Sequence, residues 1–179
     1  MTNILRFAGL ALISFLLLTG CGNEPQRLPY LGNVEIKGAD TVYHTVPDIT
    51  LTDQDSQTYR ISTLNNKIIL ADFFFTSCPS ICPKVKKQML RLYDRYKDDD
   101  RVVMISHTID QRHDSVAVLN RYAHNLGVDT DKWKFVTGEK DSIFYLADRY
   151  FVSVIEDPLA PAGFDHSGRI ILVDKTRRV

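Results

Sequence analysis

The sequence predicts an α/β domain with a central mixed sheet flanked by helices. Two observations lead to this fold class. Short, nearly continuous apolar runs alternate along the chain with segments whose apolar residues recur every three or four positions, the patterns of buried strands and of amphipathic helices. The chain also has 179 residues, 44% of them hydrophobic, which suits one domain that buries its own core.

The overall charge excludes one class of function. Lys plus Arg and Asp plus Glu each total 22, so the formal net charge is zero. Nothing in this balance steers the protein toward polyanions. We therefore expect no nucleic-acid binding.

Residues 1–21 are predicted to be a lipoprotein signal peptide. Arg6 precedes an apolar run from Phe7 to Leu18, which is shorter than the roughly 18 residues of a membrane span but typical of a secretory signal. The run ends in Leu18-Thr19-Gly20-Cys21, which resembles the lipobox of bacterial lipoproteins, so Cys21 would carry the lipid. An uncleaved short anchor is the alternative. Either way, we expect an extracytoplasmic domain tethered to a membrane, where disulfides can persist.

The remaining chain divides into a tether and one domain. Residues 22–33, GNEPQRLPYLGN, have the proline, glycine and polar content of a linker. The folded domain is predicted to span residues 34–179.

The first half of the domain is predicted to contain a hairpin, a central strand and a helix. The hairpin lies in residues 48–61, where apolar residues flank an Asp-Gln-Asp-Ser turn. Residues 67–75 form an apolar run expected of a strand covered on both faces. The helix that follows is predicted from an apolar stripe, which consists of Val85, Met89, Leu92, Tyr93 and Tyr96.

The second half is predicted to repeat this alternation. Residues 101–106 are a second buried strand, and Asp114-Ser115 can cap a helix that ends at Leu126, before Gly127. The other predicted elements are a strand at 133–136, a helix at 141–150, an extended segment at 151–155, a loop at 156–168 and a strand at 169–173.

Two cysteines, each followed by proline, lie where the central strand meets the first helix. With Cys21 assigned to the lipid, Cys78 and Cys82 remain as partners. Residues four apart on a regular helix have Cβ atoms about 5–6 Å apart, whereas a relaxed disulfide needs roughly 3.5–4.5 Å, so the spacing favours a shared metal. Because Pro79 and Pro83 can keep Cys78 in a loop, both a metal site and a disulfide stay open. Two inert buried thiols would be the structural alternative.

Three lysines follow the cysteines on the predicted helix. Lys84, Lys86 and Lys87, together with the helix N-terminus, are expected to lower the pKa of a nearby thiol from its usual value near 8.5. The alternative interpretation is that the three lysines form the solvated face of the helix.

Five histidines are candidates for a third metal ligand. His44, His113 and His124 have contexts for which a surface position is the simpler interpretation, whereas His107 ends a buried strand and could face the cysteines. His166 lies in a loop rich in glycine and proline, and such loops often carry functional residues. Two thiolates and one imidazole form a soft set of ligands that suits Cu(I), or Cu(II), better than zinc, which usually takes four protein ligands.

Residues 48–174 resemble the Sco/SenC family, the assembly factors for the copper centre of cytochrome c oxidase. The resemblance is carried by DITLTDQDSQ, FFFTSCPSICP, IDQRHDS, WKFVTGEKDSIFYLADRYF and DHSGRIILVD. It implies a thioredoxin-like fold with copper ligands at Cys78, Cys82 and His166. Asp110 and Asp114 match two family aspartates that support the metal or the partner surface; for Asp114, a helix cap is the alternative.

The chain departs from the family pattern in two places. Gln111 stands where the family commonly has proline. Family members also continue beyond the position of Val179 with a strand and a closing helix, which this sequence lacks. Because such a helix covers one face of the sheet, we expect the domain without it to be only marginally stable.

The resemblance implies a copper chaperone. Its downstream partner would be the copper-accepting subunit of a cytochrome c oxidase or a related copper enzyme, and an upstream donor would supply the copper. The alternative is a thiol-disulfide reductase in which Cys78 and Cys82 form the redox-active pair that keeps the cysteines of the acceptor reduced. A peroxide sensor is least favoured, because no separate resolving cysteine is present.

Overall fold

The computed structural model describes residues 28–64 and 66–179. The predicted signal peptide, the lipidation site at Cys21 and the first part of the predicted tether lie outside the described residues. No α-helix in these two ranges has both the length and the apolar character needed to cross a membrane.

Ten strands and three α-helices form the described part of the chain. In chain order they are β1 (Val34–Lys37), β2 (Asp40–Tyr43), β3 (Thr50–Asp53), β4 (Thr58–Arg60), β5 (Ile68–Phe74), α1 (Ile81–Tyr96), β6 (Val102–Thr108), α2 (Val116–Leu126), β7 (Trp133–Thr137), α3 (Lys140–Arg149), β8 (Val154–Glu156), β9 (Phe164–His166) and β10 (Ile170–Val173).

Six of these strands form one mixed sheet in the order β10-β5-β6-β7-β3-β4. The three central strands, β5, β6 and β7, are parallel to one another, while β10 and β3 pair antiparallel with β5 and β7. Strand β5 lies between β10 and β6, and all of its residues except Ile68 are buried. The α/β prediction with a central mixed sheet is confirmed.

The helices cover both faces of the sheet. Phe74 of β5 contacts Tyr122 of α2 at a ring-centroid distance of 5.3 Å. Its neighbour Phe73 contacts Tyr150, at the end of α3, at 5.5 Å. Since successive side chains of a strand point to opposite faces, α2 and α3 lie on opposite sides of the sheet.

Two local predictions were correct in detail. The hairpin predicted at 48–61 is formed by β3 and β4, which pair antiparallel. Helix α2 begins after Ser115, whose side chain accepts a hydrogen bond from the backbone N–H of Val118, and it ends at Gly127 in a left-handed conformation (φ 69°).

The segment after α3 differs from the prediction. Phe151 was expected to be extended, but it has a φ of 59° and turns the chain at the end of the helix, so the strand begins only at Val154. The predicted loop at 156–168 contains a further strand, β9, which pairs antiparallel with β8. As a result, His166 lies in a strand, opposite Val154, and not in a loop.

Candidate metal centre

Three elements each contribute one side chain to a buried cluster. Cys78 lies in the loop after β5, Cys82 in the first turn of α1, and His166 at the end of β9. Their exposed fractions are 8%, 4% and 8%. One ligand atom from each residue lies within 4.8 Å of the other two. The structure therefore brings together the three predicted metal ligands.

The loop position of Cys78 explains how the two thiols approach each other. Because α1 begins at Ile81, Cys78 is not held at helical spacing from Cys82. Its Sγ accepts a hydrogen bond from the backbone N–H of Cys82 at 3.5 Å. Both cysteines are free thiols in this structure. The geometric obstacle expected for a regular helix is thus absent.

His166 closes the cluster from the other side. Its Nε2 lies 3.3 Å from Sγ of Cys82, and its ring packs edge-on against Phe75 at 5.6 Å. Nδ1 of His166 is buried and has no hydrogen-bond partner among the described residues. Nε2, which faces Cys82, is therefore the nitrogen placed to bind a metal together with the sulfur atoms.

A close approach of backbone to helix holds His166 in this position. Gly168 follows it by two residues and packs directly against α1. A Cβ atom at this position would overlap Ile81 and would lie 3.0 Å from Cγ2 of Val85. Only glycine fits between the strand and the helix without displacing one of them.

The two thiols differ sharply in acidity. Burial disfavours the Cys78 thiolate, but hydrogen bonds from the backbone N–H groups of Cys82 and Ser80 and from His166 outweigh it and lower the pKa of Cys78 to about 6. Burial raises the pKa of Cys82 to about 12, and the adjacent Cys78 contributes to this shift. Cys78 is therefore the reactive thiolate of the pair at neutral pH.

One of the three lysines is buried beneath the site. Lys86 is only 4% exposed, so the prediction of a solvated face is wrong for this residue, whereas Lys84 and Lys87 are exposed. Nζ of Lys86 lies 3.2 Å from Asp72 and 3.0 Å from Oγ of Ser106. Burial lowers the pKa of Lys86, and Asp72 opposes that shift.

Aromatic rings complete the surroundings of this ammonium group. The rings of Phe74 and Trp133 have their centroids 4.3 and 4.9 Å from Nζ of Lys86, within the range of cation–π contacts. The sequence contained a signal for this buried pair. Asp72 interrupts the apolar run IILADFFF, and a charge in a buried strand requires a partner.

The two aspartates play different parts near the cysteines. Asp114 is fully buried and accepts hydrogen bonds from the backbone N–H of Thr76 at 3.0 Å, from the Thr76 hydroxyl and from Oγ1 of Thr108 at 2.5 Å. It thus fixes the loop that carries Cys78, and Ser115, not Asp114, is the residue that caps α2. Asp110 is also buried, but its partner is Nδ1 of His113 at 2.6 Å.

The other histidines do not join the cluster. His107 stacks on Phe73 at 4.7 Å, and burial lowers its pKa to about 4. The side chain of His113 is exposed, and His124 is exposed on α2. His44 accepts a hydrogen bond at Nδ1 from Arg149 and donates one from Nε2 to the Arg149 carbonyl.

The set of ligands fits a soft metal ion. Two sulfur atoms and one imidazole nitrogen converge in a buried position, and the two cysteines are not joined by a disulfide. Structural zinc sites normally have four protein ligands, whereas Cu(I) accepts low-coordinate sites rich in thiolate.

Known proteins share this architecture. A family model described as SCO1/SenC matches residues 38–179. The SCO1 protein homolog of Bacillus subtilis (strain 168) is 29% identical over 167 residues, which cover 92% of this chain and 80% of that protein. The structure of Arabidopsis thaliana ScoI with copper bound is 23% identical with a TM-score of 0.64, covering 75% of this chain and 85% of that chain.

A third similar protein is BsSco, described as a member of the Sco family of cytochrome c oxidase assembly proteins in which a disulfide switch was identified. It is 25% identical with a TM-score of 0.59, and the match covers 75% of this chain and 85% of that chain. These likenesses confirm the thioredoxin-like fold. Because the family model covers well over half of the sequence, the chain belongs to the SCO1/SenC family.

Proposed function

We propose that this SCO1/SenC protein carries copper as cargo and delivers it to the copper centre of a cytochrome c oxidase or a related copper enzyme. The observation that supports the proposal is the convergence of Cys78, Cys82 and His166 within 4.8 Å. The copper-bound ScoI structure and the oxidase-assembly role given for BsSco support the identity of the cargo and of its destination. An upstream donor supplies the copper.

Ligand exchange is the mechanism that the site supports. Cys78 is already a thiolate at neutral pH, so it can capture an incoming Cu(I) ion first. When the same ion also binds Cys82, that thiol loses its proton. His166 contributes a neutral nitrogen as the third ligand. Soft ligands of the acceptor replace these three groups one at a time, and the copper keeps its oxidation state throughout.

The same proposal places the protein at a membrane outside the cytoplasm. Lipidation at Cys21 would anchor the chain, and residues 22–33 would hold the domain off the lipid surface. The support for this placement is the signal-peptide pattern of residues 1–21.

The difference in acidity between the thiols supports a second candidate, a thiol-disulfide reductase that acts on the cysteines of the acceptor. The Cys78 thiolate would attack the acceptor's disulfide and form a mixed disulfide. The first acceptor sulfur would leave as a thiolate and take a proton from solvent. The Cys82 sulfur would then attack Cys78, and the proton of Cys82 would pass to the second departing acceptor sulfur. The acceptor would gain two electrons and be released as a dithiol, while this protein would be left with a Cys78–Cys82 disulfide.

Copper stoichiometry tests the first proposal. The reduced full chain in detergent micelles would be titrated with Cu(I) under anaerobic conditions, beside Cys78→Ser, His166→Ala and the control His124→Ala, which changes an exposed histidine. One tightly bound copper that is lost in the first two variants and kept in the third would support delivery. Oxidase assembly that survives in His166→Ala without copper binding would instead support the reductase.

A further inference from the structure

A groove leads away from the cysteines between the first two helices. It is lined by Cys82, Pro83 and Leu90 on the side of α1 and by Tyr122 and Leu126 on the side of α2, and it has a volume of about 360 Å³. Leu90 is eight residues beyond Cys82, so the groove extends about 12 Å along the helix from the metal site. This length accommodates three or four residues of an extended peptide.

Three exposed cations lie on α1, the helix that forms one wall of this groove. Lys84, Lys87 and Arg91 recur at intervals of three and four residues, which places them along one face of α1, and Lys87 lines the groove itself. No ion pair connects any of the three with another residue in the described ranges. Their charges are therefore not neutralised by a neighbouring carboxylate within these ranges.

Among the described residues that line the groove there is no carboxylate, and the group that carries negative charge there is the thiolate of Cys78 at the candidate metal site. The N-terminus of α1 adds its partial positive charge at the end nearest Cys82. In a chain of zero net charge, this face is therefore locally positive beside a floor of apolar side chains.

We propose that this groove, together with the adjoining row of Lys84, Lys87 and Arg91 on α1, is the docking surface for an acidic segment of the protein that receives the copper. Acidic side chains of that segment pair with the three cations, and its apolar side chains pack against Leu90, Tyr122 and Leu126. Cys78 and Cys82 both line the groove, so a docked segment holds the partner's own ligands beside the copper. The inference rests on the proposed copper delivery and adds the chemistry that selects the partner.

A pair of synthetic acceptors tests this inference directly. Both peptides carry a Cys-x-x-x-Cys pair, flanked in one by glutamates and in the other by lysines at the same positions. The rate of Cu(I) transfer would be measured from the copper-loaded full chain in detergent micelles. We expect the acidic peptide to react about tenfold faster at low salt, with the advantage disappearing near about 0.5 M salt.

Charge reversal identifies the surface responsible. The double variant Lys84→Glu/Lys87→Glu should prefer the lysine peptide. The control Lys97→Glu/Lys175→Glu makes the same change in net charge at two exposed positions outside the groove, and it should keep the original preference. Equal rates for the two peptides, or a preference that survives reversal in the groove, would overturn the inference.

Docking can be separated from copper binding. A fluorescent acidic peptide with serines in place of its cysteines measures docking by polarisation even if the chain holds no copper. Binding that Lys84→Glu/Lys87→Glu abolishes would support the surface on its own, and no binding would contradict it. The chain could instead adsorb to vesicles of anionic lipid through the same lysines and show no preference between the peptides. That result would assign the surface to a membrane and also overturn the inference.

Discussion

Sγ of Cys82 lies 3.3 Å from Nε2 of His166, although 84 residues separate the two in the chain. The contact joins the first turn of α1 to the end of β9. It exists only when the β8–β9 pair is packed against the helix, so the third ligand depends on tertiary structure that the two cysteines do not need.

Removing the imidazole should weaken copper binding without unfolding the domain. In His166→Ala we expect the affinity for Cu(I) to fall at least tenfold, about 1.4 kcal/mol, because one of three ligands is lost. A competition titration against a Cu(I) chelator measures the change, with His124→Ala as the matched control. Unchanged affinity in His166→Ala would contradict the three-ligand site.

Cys78 and Cys82 should react with an alkylating reagent at different rates, and the difference should grow as the pH rises from about 5 to about 7. Cys78, with a pKa of about 6, should be alkylated by iodoacetamide at a rate that rises between about pH 5 and pH 7 and then levels off, because the thiolate is the nucleophile. Cys82, with a pKa of about 12, should stay protonated and react slowly over this range. Mass spectrometry of the reduced, metal-free protein measures both rates. Equal rates would refute the predicted asymmetry.

Removing one member of the buried pair of Lys86 and Asp72 should destabilise the protein more than removing both. Lys86→Met leaves the carboxylate of Asp72 buried without its cation, and we expect a loss of about 3–5 kcal/mol in the free energy of unfolding. The double variant Lys86→Met/Asp72→Asn should recover at least about 1 kcal/mol of this loss. Urea denaturation measures these changes, with the exposed Lys87→Met within about 0.5 kcal/mol of the unchanged protein. A double variant less stable than Lys86→Met would argue against this account.

Asp114 should matter more for stability than Asp110. In Asp114→Ala, the buried donors of Thr76 and Thr108 lose their acceptor, which should cost about 2–4 kcal/mol in total and loosen the loop of Cys78. Asp110→Ala removes a pair whose other member, His113, is exposed, so the loss in the free energy of unfolding should be only about 1 kcal/mol. Thermal or urea unfolding would compare the two, and a larger loss in Asp110→Ala would reverse this assignment.

Gly168 should be intolerant of even a methyl group. We expect Gly168→Ala to reduce the free energy of unfolding by about 1–3 kcal/mol and to weaken copper binding, because the new Cβ would push His166 away from α1. Adding Ile81→Ala removes the overlapping side chain and should restore part of the copper affinity. Titration of both variants with Cu(I) tests this, and no recovery in the double variant would count against the mechanism.

From the sequence, the sheet and the three candidate metal ligands could be predicted better than the contacts that hold them in place. The apolar run of β5 and the stripe of α1 are long patterns, so both elements were located to within a few residues. Strand β9 has only three residues and no readable alternation, and an aromatic residue such as Phe151 rarely adopts a positive φ, so both were missed.

The burial of Lys86 was hidden by its neighbours in the sequence. Its spacing of three from Met89 and seven from Tyr93 puts it on the buried face of α1, but it lies in a lysine-rich stretch that resembles a solvated face. Its partner Asp72 belongs to a different element, so the pairing that stabilises the buried charge cannot be seen in the helix pattern. The proximity of Cys82 and His166 was expected only because the chain resembles the Sco/SenC family. Like the pair of Lys86 and Asp72, it is a contact between distant segments, which local patterns do not encode.

The β8–β9 ribbon shares no strand pairing with the six-stranded sheet in the described part of the chain, whereas Cys78 directly follows the central strand of that sheet. The candidate metal site thus joins the main sheet to a ribbon that packs beside it. Moving the ribbon away would break the contacts of His166 with Cys82 and Phe75, of Phe164 with Phe75 and of Gly168 with Ile81, but no hydrogen bond of the main sheet. A bound copper ion would then keep only the two thiolates as ligands, while the six-stranded sheet stays intact.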